Sequence, residues 1–325
     1  MRTVLLNSLI SSNMKGRFHS IVFQYSGLFK QVVYSNRICN RSVVLSYKIL
    51  GEGAAEEPPI FLLHGLLGNK KQWESIGKII FNLTKRTVVA VDLRNHGDSP
   101  QVNSHKYEDM ATDIMNLFEK LGVKQASLLG HSMGGKAAMC SALLSPLKVT
   151  GVLVVDVSPV SPSVHYRDEF PKIFTAMKAV DFKKARKENL AKKEAKNQLK
   201  TVISDDYLLN GIISNIKVKT DNTIGWTVNI DVLMKHIQYI AEFPKSLKKK
   251  KYFGPSLFVG GQLSELIPPD DLPDIRDIFP RAVVTYIPKT RHYVHIDDPA
   301  SFLELTISFI RTHHFKRHLT PPPWA

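Results

Sequence analysis

Two cysteines in 325 residues, Cys39 and Cys140, leave no material for a disulfide framework and fit a reducing compartment. No apolar stretch runs much beyond about ten residues, against the ~20 that a membrane-spanning helix needs. Acidic residues are missing entirely before Glu52. No glycine-rich phosphate loop, metal-ligand spacing, nucleic-acid-binding module or internal repeat can be read, so no cofactor, metal or nucleic-acid partner is implied.

What is present is an uneven surplus of positive charge. The chain carries a net +15, and residues 1–51 supply seven Lys/Arg with no Asp or Glu. Residues 160–253 supply 19 basic against 10 acidic residues, and the remainder is balanced at 18 against 19. The basicity therefore belongs to a leader and an internal segment. Spaced Arg2, Lys15, Arg17, Lys30, Arg37 and Arg41 among many serines describe a mitochondrial transit peptide over residues 1–41, and a matrix destination. A secretory signal is the competing reading, but its apolar segment, VLLNSLI, is short and broken by Asn7 and Ser8.

From Val43 the text alternates short apolar runs with amphipathic ones. Strands are expected at Val43–Ile49, Ile60–Leu63, Thr87–Val91, Ala126–Leu129, Val149–Val155, Ser256–Val259 and Val283–Ile287. Helices are expected at Lys71–Leu83, Tyr107–Leu121, Lys136–Leu144 and Pro299–Ile310. Such alternation implies βαβ crossovers and a mostly parallel sheet with helices on both faces. Residues 160–253 interrupt it with Lys-rich helical text such as FKKARKENLAKKEAKNQL. An insertion there lies over the carboxyl ends of the strands, where open α/β sheets bind ligands, and is expected to be a helical lid. Its lysines are a solvated face or a peripheral contact with an anionic membrane. The expected organisation is core over 42–159, lid over 160–253, core over 254–312 and a disordered tail over 313–325.

The chemistry centres on LLGHSMGG, residues 128–135, in which Gly130-His131-Ser132-Met133-Gly134 lies between a strand and a helix. This G-x-S-x-G pattern is a nucleophile elbow, a strand-to-helix reversal that holds the serine hydroxyl above the sheet. Glycines flank the serine because a side chain would collide with the neighbouring strand or helix. A serine needs an imidazole to remove its proton and a carboxylate to orient that imidazole. In PKTRHYVHIDDP the candidate bases are His292 and, three residues on, His295. The candidate acids are Asp156, which closes the strand VLVVD, then Glu265 in GGQLSEL, and Asp231 in the insertion. His64 in HGLLG reads as a packed residue under a loop whose Leu66 N–H, with that of Met133, would form an oxyanion hole.

With HGLLGNKKQW, DLRNHGDSP, GHSMGG, VDVSP and HYVHIDDP in order, residues 43–312 resemble the α/β-hydrolase family. The resemblance implies an α/β-hydrolase fold with Ser132 as nucleophile, Asp156 as acid and His292 as base. Relatives commonly carry glycine before the catalytic histidine, where this chain has Arg291. The nearest subgroup implies a mitochondrial serine hydrolase of acyl esters, diacylglycerol-lipase-like, linked to lipoylated 2-oxoglutarate dehydrogenase. The expectation is hydrolysis of acylglycerol esters through an acyl-serine. Acyl transfer to an alcohol by the same residues and a non-enzymatic role as a matrix binding partner stand as alternatives.

Overall fold

The computed structural model describes residues 42–53, 57–183, 185 and 187–314. The expected transit peptide and residues 315–325 lie outside these. The chain runs β1 (Tyr47–Gly51), β2 (Ile60–Leu63), α1 (Glu74–Thr84), β3 (Val88–Val91), α2 (Tyr107–Lys120), β4 (Ala126–His131), α3 (Met133–Leu144) and β5 (Val149–Val155). There follow α4 (Val164–Asp168), α5 (Phe170–Ala179), α6 (Glu188–Leu199), α7 (Asp206–Ile213), the hairpin β6 (Ile216–Val218) and β7 (Ile224–Trp226), α8 (Ile230–Lys235) and α9 (Ile237–Ala241). The sheet resumes with β8 (Ser256–Gly261), α10 (Leu272–Ile278) and β9 (Ala282–Ile287), and the chain closes with α11 (Val294–Asp297) and α12 (Pro299–His314).

The main sheet has seven strands in the order β1-β3-β2-β4-β5-β8-β9. Every pairing is parallel except β1 with β3. Alternate side chains feed two cores, as the two-residue period of a strand requires. Phe61, Leu63, Leu128 and Val152 pack with Met110, Ile114 and Phe118 of α2 and with α3 on one face. Ile60, Leu62, Leu129 and Leu153 pack with Ile76 and Ile80 of α1 and with Phe302, Ile307 and Ile310 of α12 on the other. Burial on both faces explains why the central strands read as continuous apolar runs.

Several boundaries differ from the sequence expectation by one to four residues, and three are instructive. The first strand begins at Tyr47 because the backbone N–H groups of Val43 and Ser46 donate to the side chains of Asp113 (2.8 Å) and Ser99 (2.8 Å) instead of a neighbouring strand. The Lys-rich helix is shorter than its composition suggests, since Lys187, at its N-cap, is extended and α6 starts only at Glu188. At the other end, α12 continues through His313 and His314, into the expected tail.

Helices α4–α9 and the small hairpin, called the cap below, lie between β5 and β8 in sequence, and their Tyr166, Phe170, Tyr207 and Leu208 line a cavity together with Ser132. The cap's two crossings meet, with the Ser163 N–H donating to the Ala241 carbonyl at 2.9 Å. The entering strand is clamped by buried Asp271, whose carboxylate accepts from Ser158 Oγ, the Ser161 N–H (3.1 Å) and Ser161 Oγ (2.7 Å). The leaving end is held by Lys136 of α3, fully buried, whose Nζ donates to the carbonyls of Ile240 (3.2 Å), Ala241 (2.6 Å) and Glu242 (3.3 Å).

Candidate active site

Ser132 joins β4 to α3 with φ +55° and ψ −118°, a conformation an L-residue adopts only when the surroundings impose it, at a cost on the order of 1–3 kcal/mol. The surroundings do impose it. A Cβ on Gly130 would lie 2.2 Å from the Gly134 carbonyl oxygen, and one on Gly134 would lie 2.4 Å from the Leu63 carbonyl oxygen. Helix, elbow and strand therefore approach at backbone contact, and the Ser132 N–H is fixed on the Val155 carbonyl at 2.9 Å.

Asp156 follows directly on β5, also with positive φ (+52°), and is fully buried. Its Oδ2 accepts His292 Nδ1–H at 2.8 Å and Ser264 Oγ–H at 2.6 Å, and its Oδ1 accepts the Gly261 N–H at 3.0 Å. With Nδ1 engaged as donor, the lone pair of a neutral His292 ring is at Nε2. The His292 carbonyl accepts Nε2–H of His131 at 2.9 Å, and the two rings lie 4.5 Å apart. Burial, with His292 and His295 nearby, pushes the His131 imidazole well below its usual range, so this buttress is uncharged. Ser132 and His292 line one cavity but are not hydrogen-bonded to each other; the Ser132 hydroxyl bonds Tyr166 instead.

The other candidates fall elsewhere. Glu265 is exposed on the loop after β8. Asp231 is exposed on α8, paired with Lys178 at 2.6 Å. His295 is buried under the site, stacked on Trp73 at 4.8 Å, with burial holding its pKa down to about 3. Arg291 occupies the relatives' glycine position without a left-handed backbone, because Lys289 (φ +61°) makes the turn, and its N–H is held by Asp297 at 2.7 Å.

The loop after β2 places Leu66 at the cavity wall. His64 is buried beneath it, taking the Leu93 N–H on Nε2 at 3.0 Å and donating from Nδ1 to the Gly65 carbonyl at 2.8 Å. The next turn, Leu67 (φ +60°), has its N–H on His96 Nε2 and its carbonyl on Asn215 Nδ2 of the cap at 2.7 Å.

Four residues with evident roles here escaped the sequence. Ser264, beside Glu265 in GGQLSEL, carries no mark of its own, yet it donates to Asp156. His96 lies in RNHG, a loop motif with no spacing that marks a support. His131, inside the elbow motif, gave no sign that it braces His292. Tyr166, in the basic insertion, carried no signal at all.

Among the described residues no group of three or more His, Cys, Asp and Glu could hold a metal ion, and no helix is long and apolar enough to cross a membrane. Ser132, Leu66 and the Asp156-bound His292 border one cavity, a combination able to support acyl transfer through a serine.

Residues 58–299 match the sequence profile of the α/β-hydrolase fold. The chain is 37% identical over 272 residues to sn-1-specific diacylglycerol lipase ABHD11 of Mus musculus, covering 83% of this chain and 86% of that one. It is 28% identical over 291 residues to a probable alcohol acetyltransferase of Saccharomyces cerevisiae, covering 83% and 84%. A solved marine microorganism esterase superposes with a TM-score of 0.72 at 31% identity, over 82% of this chain and all of its own.

Proposed function

The chain belongs to the α/β-hydrolase family and is a carboxylic-ester hydrolase; we propose that it cleaves acylglycerols, diacylglycerols foremost, through an acyl-serine on Ser132. The observation that supports this most is the buried Asp156–His292 contact of 2.8 Å on the cavity that Ser132 lines. In the proposed reaction His292 Nε2 takes the Ser132 proton as Oγ attacks the ester carbonyl. The carbonyl oxygen, now charged, accepts the N–H groups of Leu66 and Met133, each worth on the order of 10²- to 10³-fold in rate. The imidazolium, held by Asp156, returns the proton to the departing alcohol, and the ring then activates the water that releases the acid.

The diacylglycerol assignment rests on the mouse relative and on the apolar cavity wall of Phe170, Leu208 and Tyr293. The yeast relative supports a second reading, transfer of the acyl group to an alcohol. Water and alcohol compete for the same acyl-serine, so product ratios from an ester in the presence of ethanol decide between them. The experiment that tests the site is fluorophosphonate labelling with diacylglycerol turnover, wild type against Ser132→Ala. Both signals should vanish in the folded variant, and a labelled variant would place the nucleophile elsewhere.

Delivery to the mitochondrial matrix by residues 1–41, and docking to a lipoylated 2-oxoacid dehydrogenase complex, belong to the same proposal and rest on sequence alone. A fusion of residues 1–41 to a reporter tests the first, and co-purification from matrix extracts tests the second. Peripheral binding to an anionic membrane by the cap lysines is the weakest part, since Lys192 pairs with Glu188 and Lys196 donates to Asn210 at 2.7 Å.

A further inference from the structure

We propose that Tyr166 is a positioning residue whose hydroxyl keeps the place of the substrate's carbonyl oxygen in the resting enzyme and must be displaced by any ester that reacts. The inference builds on the role proposed above for Ser132.

Helix α4 carries the Tyr166 ring into the cavity, where its hydroxyl hydrogen-bonds Ser132 Oγ and faces the backbone N–H of Met133. These are two of the groups an ester carbonyl has to engage. Its carbon bonds Oγ, and its oxygen accepts the Met133 N–H. That N–H has a single hydrogen, so the phenol and the ester compete for it.

The volume of the site agrees. The cavity measures about 20 Å³, room for about one water molecule. Sites that bury a drug-sized ligand run to several hundred Å³, on the order of 300–1,000. An acyl ester therefore enters only if something leaves, and the group on the reacting atoms is the Tyr166 hydroxyl.

The placement is built in. Tyr166 is buried, and its ring meets Phe170 edge-on at 4.9 Å. The segment before it is pinned by Asp271 through Ser158 and Ser161, and by the Ser163–Ala241 bond. Displacement is thereby confined to the short stretch from Ser163 to Phe170. Burial also holds the phenol up to about 12, so the occupant is a neutral hydroxyl.

The exchange has a consequence for selectivity. An acyl chain that packs on Phe170, Tyr207, Leu208 and Tyr293 offsets the loss of the tyrosine's contacts, and an acetyl group does not. The hydroxyl thus sets a common threshold for every ester, which only a packed acyl chain offsets.

The test compares wild type with Tyr166→Phe on p-nitrophenyl acetate and p-nitrophenyl octanoate, with fluorophosphonate labelling in parallel. Losing one competing hydrogen bond should lower KM for both esters, and speed labelling, about three- to tenfold. Rates within twofold of wild type on all three probes would overturn the proposal. So would a tenfold or larger fall in kcat, which would make the hydroxyl a participant in the chemistry. If the variant fails to fold, a structure of the wild-type phosphonate adduct answers instead. The phosphonyl oxygen should sit on the Met133 N–H with the tyrosine turned away, and a tyrosine still on that N–H would overturn the idea. Wild-type protein that is not labelled at Ser132 would remove the hydrolase site itself, a result distinct from a labelled enzyme indifferent to Tyr166.

Discussion

His96 Nε2 accepts the backbone N–H of Leu67 at 3.1 Å, while its Nδ1 faces the Arg94 carbonyl at 3.0 Å. A carbonyl can only accept, so Nδ1 carries the proton and the ring is held as one neutral tautomer. Burial, reinforced by His64 at 5.0 Å, draws its pKa down to about 3. The Leu67 N–H is thereby engaged, and in the proposed reaction the preceding Leu66 N–H is the donor that serves the oxyanion.

His96→Phe keeps a ring in the space and removes the acceptor. The freed Leu67 N–H is expected to pull the loop out of register and lower kcat by about 10- to 100-fold, a fraction of what losing a whole oxyanion donor costs. Near-normal turnover would mean that Asn215, on the Leu67 carbonyl, holds the loop alone.

The buried histidines also set the response to acid. His64, His96, His105, His131 and His295 all have pKa values lowered by burial, with His96 and His295 at about 3. Between about 3 and the ordinary value near 6.5, the unfolded chain binds protons that the folded chain refuses, so stability rises with pH across that window. The melting temperature is expected to be level above about pH 7 and to fall progressively as the pH drops below 6.5. His96→Gln should blunt the fall, and a flat profile from pH 7.5 to 5 would contradict the neutral assignment.

Asp156→Asn is expected to lower kcat on a short-chain ester by about 10⁴-fold with the fold retained, because an amide can hold the imidazole in the wrong tautomer. Glu265→Gln and Asp231→Asn, both exposed, should stay within about threefold. Ser264→Ala removes one of three donors to the carboxylate and should fall between, at about three- to tenfold. Loss of activity in Glu265→Gln with normal activity in Asp156→Asn would reassign the acid.

Lys136→Met tests the cap's anchor. The Glu242 carbonyl loses its lysine donor outright, while Ile240 keeps the Tyr107 hydroxyl and Ala241 keeps the Ser163 N–H, which costs about 1–3 kcal/mol and a melting temperature lower by about 3–9 °C. An unchanged melting temperature would show that the α9 terminus finds other donors.

The central sheet was legible because its strands are buried on both faces and therefore apolar throughout; Ile60–Leu63 and Val149–Val155 are bounded as the sequence indicates. The elbow was legible because backbone contact at Gly130 and Gly134 leaves those positions no other residue. The choice among Asp156, Glu265 and Asp231 was not decidable from residue type, since loops of similar composition differ only in where their carboxylates end up. His96 and Tyr166 were opaque for a related reason. What each does depends on a partner far away in sequence or in another element, Leu67 for the first and Ser132 for the second, and no local pattern records such a meeting.

Ser163 and Ala241, joined by one backbone hydrogen bond, stand at the two ends of the segment that carries α4–α9. The cap thus leaves and rejoins the sheet through a single narrow doorway, and its length is of no concern to β5 or β8. Lineages could lengthen, shorten or replace that cassette without disturbing the register of a single strand, as long as both doorposts, Asp271 with its serines and Lys136 with its carbonyls, stay in place. Substrate range can therefore change within this segment while the strand register of the sheet stays as it is.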